Sequence, residues 1–305
     1  MLKNFSPQGL GITGRQSELI ELALTYAFRG IEVNMMDMLK RCQRTSFDDA
    51  AKYLRAAEIA IGSFDAGIDL DVDDDTFAGS LAQVHPLAEL AEQLNASLAT
   101  LRLPAATDLA AFPEFFEKTS QRVKEVAAIL AQKEIRLALS FTAGKDKIEG
   151  KNFPFVNTVE AFLAFVKSVS SDQVGFVVDT WDWPVGGGAI EQIKALPPSQ
   201  VFVIRLGDLV PGVAIAEAKT SDRVLPKAGD GFDHVGLLKH FAAAGVEAVV
   251  MPTASSAQNR DRTREATVNE AQEAIDAIFT EAGLPVPPKP IDLVASIPYE
   301  PTPMN

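Results

Sequence analysis

Short apolar runs recur along the chain at Leu10–Thr13, Gly30–Asn34, Ala60–Phe64, Ser97–Leu103, Arg136–Phe141, Gly175–Asp179, Val201–Leu206 and Ala248–Met251. Runs of this length, rich in Val, Ile, Leu and Phe, predict buried strands. Between them, apolar residues return at helical spacing. Leu19, Leu22, Ala23 and Tyr26 fall at i, i+3, i+4 and i+7, one face of a helix, with Ser17 as a candidate cap and Gly30 as its stop. Val268, Ala271, Ile275 and Ile278 form a similar stripe, closed by Gly283.

No two predicted strands are joined by a tight hairpin, so their pairing is expected to be parallel, through helical crossovers. A closed β/α barrel and an open doubly wound sheet both satisfy that pattern. The count of eight strands and the length of 305 residues favour the barrel, which typically takes about 250 residues before extensions. Gly9, Gly11 and Gly14 match G-x-G-x-x-G spacing, but the first two fall inside the predicted first strand. That is not the strand–turn–helix context of a dinucleotide site. The expected fold class is α/β: a single eight-stranded parallel β/α (TIM) barrel over residues 1–283, followed by a Pro-rich C-terminal extension over residues 284–305. Seven prolines between Pro285 and Pro303 bar that tail from being helical. Its Ile291, Leu293, Val294 and Ile297 are anchors for packing across the barrel or against a partner subunit, which leaves a homo-oligomer open.

Charge and composition narrow the partners. With 28 basic and 41 acidic residues the formal net charge is −13. That balance argues against a nucleic-acid partner, though not against a small anion held by a local basic cluster. The single cysteine, Cys42, excludes an intrachain disulfide and fits a reducing cytoplasm. Its basic neighbours in LKRCQRTS offer one reading, a thiol with a lowered pKa, but an ordinary solvated loop cysteine is the preferred one. No run is long enough to span a bilayer and the amino terminus has no apolar signal core. The expectation is therefore a cytoplasmic chain without a membrane partner.

Two predicted strands stop on charge: VGFVVDTWDW (Val174–Trp183) and VFVIRLGD (Val201–Asp208). The carboxyl ends of parallel strands are where ligands bind in such folds. Alternation along each strand puts Arg102, Ser140, Asp179 and Arg205 on one face. If that face is interior, these four ring the carboxyl end of the barrel, with Asp182, Asp208 and Thr253 just beyond. An Asp179–Arg205 ion pair between adjacent strands is the structural alternative, and Glu32 at the end of the second strand also reads as structural. No histidine ends a strand: His85 and His240 fall in helical segments and His234 starts one, all three read as surface or capping residues.

On these residues the chain resembles the sugar phosphate isomerase/epimerase family with the xylose-isomerase-like TIM barrel. GITGRQSELIELALTYAFRGIEV resembles that family's first βα unit, VGFVVDTWDW its Asp-x-x-His strand, and VFVIRLGD its His-x-x-Asp strand. Asp222–Val246 resembles the segment that follows. The resemblance implies a metal site built from a Glu, an Asp, a His and a Glu on strands five to eight. Here those positions carry Ser140, Asp179, Arg205 and Thr253, and the sixth strand's usual His is Asp182. Most metal-ligand positions are thus replaced and no cofactor is expected. Mn²⁺ or Mg²⁺ would have to be held by Asp179, Asp182 and Asp208 without histidine, with Arg205 repelling it.

Within that resemblance, Arg205, oriented by Asp179 or Asp182, takes the cation's place and stabilises oxyanion charge. Arg102 and Arg223 are further ligand contacts, and Trp181 is a surface on which a sugar ring could stack. The implied activity is isomerisation or epimerisation of a sugar, polyol or related hydroxy-carbonyl compound, with a small polar or sugar-like ligand as partner. The alternative is a catalytically inactive barrel that binds a small polar ligand or a protein.

Overall fold

The computed structural model describes residues 1–229 and 231–290. Eight parallel strands form a closed barrel: β1 (Leu2–Phe5), β2 (Gly30–Val33), β3 (Ala60–Asp65), β4 (Leu98–Arg102), β5 (Arg136–Ser140), β6 (Val174–Asp179), β7 (Val201–Leu206) and β8 (Val249–Pro252). Each strand pairs with its sequence neighbours, and β1 closes on β8 through Leu2↔Val249 and Lys3↔Val250. The helices are α1 (Gln16–Thr25), α2 (Met35–Arg44), α3 (Phe47–Ala57), α4 (Asp74–Gln93), α5 (Phe112–Ala131), α6 (Val159–Val169), α7 (Asp182–Val185), α8 (Ile190–Lys194), α9 (His234–Ala243) and α10 (Arg264–Ala282). The expected fold class is therefore the observed one.

Local chemistry sets many of these boundaries. Asn34, Ser46, Asp73, Thr158, Asp233 and Thr263 each cap a helix by accepting a backbone N–H from its first turn. The last helix ends at Gly283, whose φ of +73° is the left-handed stop expected there. At α1 the expectation is corrected. Arg15, with Glu18 reaching back to its backbone, starts the helix, so Ser17 lies inside it. Gly30 belongs to β2 rather than to a helix stop.

The first strand is also corrected. Leu10–Thr13 forms a short 3₁₀ turn and loop, and β1 is LKNF, eight residues earlier. Its two middle residues hide it. Lys3 is buried facing outward, ion-paired to Asp276 of α10 at 2.6 Å, and Asn4 is fully buried facing inward. The glycines at 9, 11 and 14 lie in the loop from β1 to α1. Asn4 explains two other glycines: a Cβ at Gly30 or Gly62 would run into its Oδ1. The barrel interior is consequently split, with polar and small residues under β1–β3. A separate apolar cluster of Leu98, Ala138, Val177, Phe202, Val203, Val249 and Met251 fills the space under β4–β8.

Outside the barrel the helices cover the other faces of the strands in one continuous apolar layer. Cys42 lies in α2, half-buried against this layer, which corrects the preferred reading of a solvated loop cysteine, and burial pushes its thiol up, against the alternative of a thiol acidified by its neighbours. In the tail, Leu284 and Val286 pack against the same layer. The proposed anchors Ile291, Leu293, Val294 and Ile297 lie outside the described residues. Among the described residues no helix is long and apolar enough to cross a membrane.

Candidate functional site

The strand register decides which side chains look into the mouth. Paired residues on parallel neighbours share a face. Arg102 pairs with Ser140, and Thr100 with the interior Ala138. Asp179 and Arg205 pair with each other, each two residues beyond the interior Val177 and Val203. Arg102, Ser140, Asp179 and Arg205 are therefore brought to the carboxyl end of the barrel as the alternation predicted. Thr253, two residues past the interior Met251, is buried beside them.

The charges pair differently from the expectation. Asp179 and Asp182 do not orient Arg205; both are taken by Arg223, at 2.7 Å and 2.6 Å. Arg223 comes from the loop after β7, where Asp208–Leu209 and Arg223–Val224 form a small antiparallel ribbon that folds back over the mouth. Its guanidinium also donates to the Thr253 hydroxyl at 3.2 Å and lies over the Trp181 ring. The remaining carboxylate oxygens are filled as well. Asp179 Oδ1 accepts the amides of Trp181 and Asp182, and Asp182 Oδ1 accepts the Ala143 amide and the Thr142 hydroxyl.

This is two carboxylates sharing one guanidinium in a nearly dry place. Burial alone would raise Asp179, but the charges of Arg223 and Arg205 and its hydrogen bonds hold it below the ordinary carboxylate range. Asp182 goes the other way: burial and then the negative charge of Asp179 push it up. Burial would lower Arg223, yet the two aspartates outweigh it and raise it further. Arg205 is half-buried and Arg102 exposed, and among the described residues neither has a carboxylate within ion-pair distance. Although its side chain reaches solvent, the protein atoms crowded around Arg102 partly desolvate it, and this and then the charge of Arg205 lower its pKa.

Other predicted residues serve the frame. Asp208 faces away from the ring, accepting the Lys227 amide at 2.8 Å and the Phe232 amide at 3.3 Å, and contacting His234 Nε2 at 2.9 Å. His234 is accordingly buried inside the fold, correcting its reading as a surface or capping residue. Trp181 is 1% exposed, its indole N–H without a partner among the described residues, and Arg223 occupies the surface on which a sugar was expected to stack.

Sequence reasoning undervalued the opposite side of the mouth. Glu32 looks inward from β2, accepts a hydrogen bond from the Ser6 hydroxyl, and lines a cavity of about 880 Å³ with Gln8, Asn34, Met36 and Asp65. Ser6 Oγ is fixed in turn by the Gly9 amide at 2.9 Å. The alternation Gly30, Glu32 on the β2 run carried that signal. Asp65 was missed because the third apolar run was ended one residue early.

Residues 20–278 match the xylose isomerase-like TIM barrel family, and the chain belongs to it. Inosose isomerase of Bacillus velezensis is 24% identical over 267 residues, which cover 86% of this chain and 91% of that protein. A xylose isomerase domain protein from Alicyclobacillus acidocaldarius superposes with a TM-score of 0.81 at 20% identity, over 93% of this chain and 99% of that one. The IOLI protein, solved with a bound zinc atom, superposes at 0.74 with 18% identity, over 93% and 98%. These two likenesses carry the fold.

A bound metal in such a relative raises the question of whether the donors here fit one. They do not. Of the four positions matched to the family's metal ligands, two carry hydroxyls, one a guanidinium, and the only carboxylate, Asp179, has both oxygens engaged. Among the described residues, no three His, Cys, Asp or Glu side chains converge elsewhere as a cation site.

Proposed function

We propose that this chain is an isomerase or epimerase for a sugar, polyol or related hydroxy-carbonyl compound, with a guanidinium rather than a divalent cation stabilising the oxyanion. One observation supports the reading above all others. Arg223 takes the direct ion pairs of both aspartates, so that Arg205, beside Asp179 on the neighbouring strand, has no carboxylate at ion-pair distance among the described residues and stands at a mouth position matched to a family metal ligand. A fixed guanidinium aimed at a developing enediolate oxygen is worth roughly 10²–10³ in rate, by analogy with an oxyanion-hole donor. Arg223 is held by Asp179 and Asp182, which offset its charge, and the three act as positioning residues that shape the mouth around Arg205. Glu32 supplies the proton-transfer group: among the described residues its one side-chain hydrogen bond is from Ser6, and it lines the cavity. It removes a proton from the carbon next to the carbonyl, the C–H electrons pass into the enediolate, and the same carboxyl returns the proton to the neighbouring carbon as the hydroxyl proton moves between the two oxygens, giving the isomer; epimerisation instead takes its proton on the opposite face, from solvent. The family and the inosose isomerase relative are consistent with that reaction class.

A second reading, ligand binding without turnover, is favoured by the full occupancy of the oxygens of Asp179 and Asp182, which leaves neither as a base. Deuterium exchange into a panel of ketoses, aldoses and inososes in D₂O, followed by NMR, separates the two. The expected result is exchange that survives EDTA and is abolished in Glu32→Gln and cut roughly 10²–10³-fold in Arg205→Ala. Stoichiometric metal in the purified protein, or exchange that depends on added Mn²⁺, would overturn the metal-free site. Ligand binding without exchange would establish the second reading.

A further inference from the structure

We infer that the ligand of the cavity beside Glu32 carries an ammonium group, held on the side of β2 and β3 by Asp65 and Glu32. The inference rests on the reading of this cavity as the ligand site and adds to it the charge of the ligand; it does not depend on turnover.

The cavity has a position of its own in the fold. Alternation along β2 sets Ile31 and Val33 against the helical layer and Glu32 inside the barrel. A cavity lined by all three passes over the carboxyl end of β2, from the mouth to the space between Leu19 of α1 and Met38 of α2. None of Arg102, Arg205 and Arg223 lines it, so its own side chains decide what it holds. Its volume of about 880 Å³ lies within the roughly 300–1,000 Å³ of small-molecule sites.

Three carboxylates and one guanidinium line that space: Glu32, Asp37, Asp65 and Arg41. Arg41 is spent on Asp37, donating to one of its oxygens through Nε at 2.8 Å and Nη2 at 2.6 Å. Glu32 and Asp65 face inward from adjacent strands, and among the described residues neither has an ion pair. One oxygen of each is engaged, by the Ser6 hydroxyl on Glu32 and by the Gly67 amide at 2.7 Å on Asp65. The other oxygen of each is left to accept. Arg102, on β4, lies in the field of Asp65 without reaching ion-pair distance.

A buried amide in the same cavity is also left as an acceptor. Gln16 is 8% exposed, and its side-chain N–H donates to Met38 Sδ at 3.0 Å. Its carbonyl oxygen is buried without a donor among the described residues. Turning the amide over would set that oxygen against a thioether, itself only an acceptor, so the oxygen stays the unpaired end. The exposed amides of Gln8 and Asn34 can donate or accept and do not discriminate. Unpaired acceptors are stabilised by a ligand rich in donors, and two carboxylates without a counter-ion by a cationic one. A primary ammonium brings three N–H donors and one positive charge, and hydroxyls along its stem bring the remaining donors. The class that fits is an amino sugar or amino polyol.

The test is calorimetric titration of the full chain at neutral pH with glucamine, sorbitol and gluconate, polyols that differ only in the charge at one end. Glucamine should bind roughly 10-fold more tightly than sorbitol, the scale of a charge-assisted hydrogen bond, and gluconate most weakly. Added salt should narrow the gap. Asp65→Asn keeps the oxygen that accepts the Gly67 amide, so it should fold as the parent does, which melting of the ligand-free variant checks. It should weaken glucamine roughly 3- to 10-fold and leave sorbitol unchanged. Glu89→Gln, on the exposed face of α4, should alter neither. Sorbitol binding as tight as that of glucamine, or a glucamine preference undiminished when Asp65→Asn is combined with Glu32→Gln, overturns the inference. Displacement of glucamine by stoichiometric Mg²⁺ or Mn²⁺ also overturns it, since the carboxylates would then be a metal site. So does a failure of all three polyols to bind. Deuterium exchange reads the isomerase separately. Exchange into neutral ketoses without a glucamine preference keeps the isomerase and sinks the inference. A glucamine preference without exchange does the reverse.

Discussion

At the scale of single residues, Arg223 holds the mouth together. Its guanidinium is shared by Asp179 and Asp182 and packed on Trp181, so removing it leaves two buried carboxylates without a counter-charge. Arg223→Ala should cost about 3–5 kcal/mol of stability at neutral pH, the scale of breaking a buried pair. The pH dependence has a defined sign. In the native protein Asp179 is lowered, so its contribution is present above the ordinary carboxylate pKa and lost as pH falls through the folded value. Asp182 is raised, so its contribution is present below the ordinary value and lost as pH rises through the folded one. Without Arg223 both carboxylates are expected to titrate high, and protonation relieves them. Urea denaturation at neutral pH and again near pH 4 should therefore show the variant's deficit shrinking as acid is added. A deficit independent of pH would mean the arginine acts by packing alone. The sequence marked all of these residues but not their pairing. Alternation places Asp179 and Arg205 on adjacent strands facing the same way, and nothing in VFVIRLGD shows that an arginine some twenty residues on returns over the mouth to claim both aspartates.

At the scale of elements, seven of the eight strands and the buried stripes of α1 and α10 could be read from apolar runs and helical spacing because β2–β8 bury uniform apolar faces on the helical layer. β1 could not, since LKNF carries one buried charge and one buried amide whose partners are supplied from elsewhere in the fold. The same polar layer makes a prediction. Gly62 in β3 borders Asn4 Oδ1, so Gly62→Ala forces that amide or the strand to move and should cost about 1–3 kcal/mol. A thermal melt of the variant checks this, and pairing it with Asn4→Ala should recover most of the loss. The loop after β7 depends on a second polar anchor. Asp208 accepts the amides of Lys227 and Phe232 and contacts His234, whose other ring nitrogen is buried without a partner among the described residues. Asp208→Ala should cost about 2–4 kcal/mol through the unsatisfied groups it leaves. It should also raise tryptic cleavage after the exposed Lys227 more than it lowers global stability. Cleavage that follows global unfolding alone would show that Asp208 does not hold the loop.

At the scale of the whole molecule, closure joins the two ends of the sequence. β1 pairs with β8, and Lys3 of β1 reaches Asp276 of α10 at 2.6 Å across 273 positions of sequence. Lys3 is 2% exposed at its side chain and Asp276 15%. Burial lowers the lysine's pKa although Asp276 opposes the shift. Such a pair registers first and last elements more than it stabilises them, because desolvation offsets much of the attraction. Lys3→Met removes one partner and leaves a carboxylate with limited access to water. It should cost about 2–3 kcal/mol, below the ~3–5 of a fully buried pair. Adding Asp276→Asn removes the stranded charge while keeping an acceptor for Gln272, so the double variant should regain most of that loss. The wild-type sign follows from the lowered lysine pKa: its charged form is disfavoured by folding, so relative stability rises with pH as Lys3 deprotonates, below the usual lysine range. The Lys3→Met, Asp276→Asn protein should lack that rise. Denaturation of the four members of the cycle at neutral and alkaline pH measures both effects. A double variant no more stable than Lys3→Met would show that the lysine itself, through its ammonium over the Phe28 ring, closes the barrel.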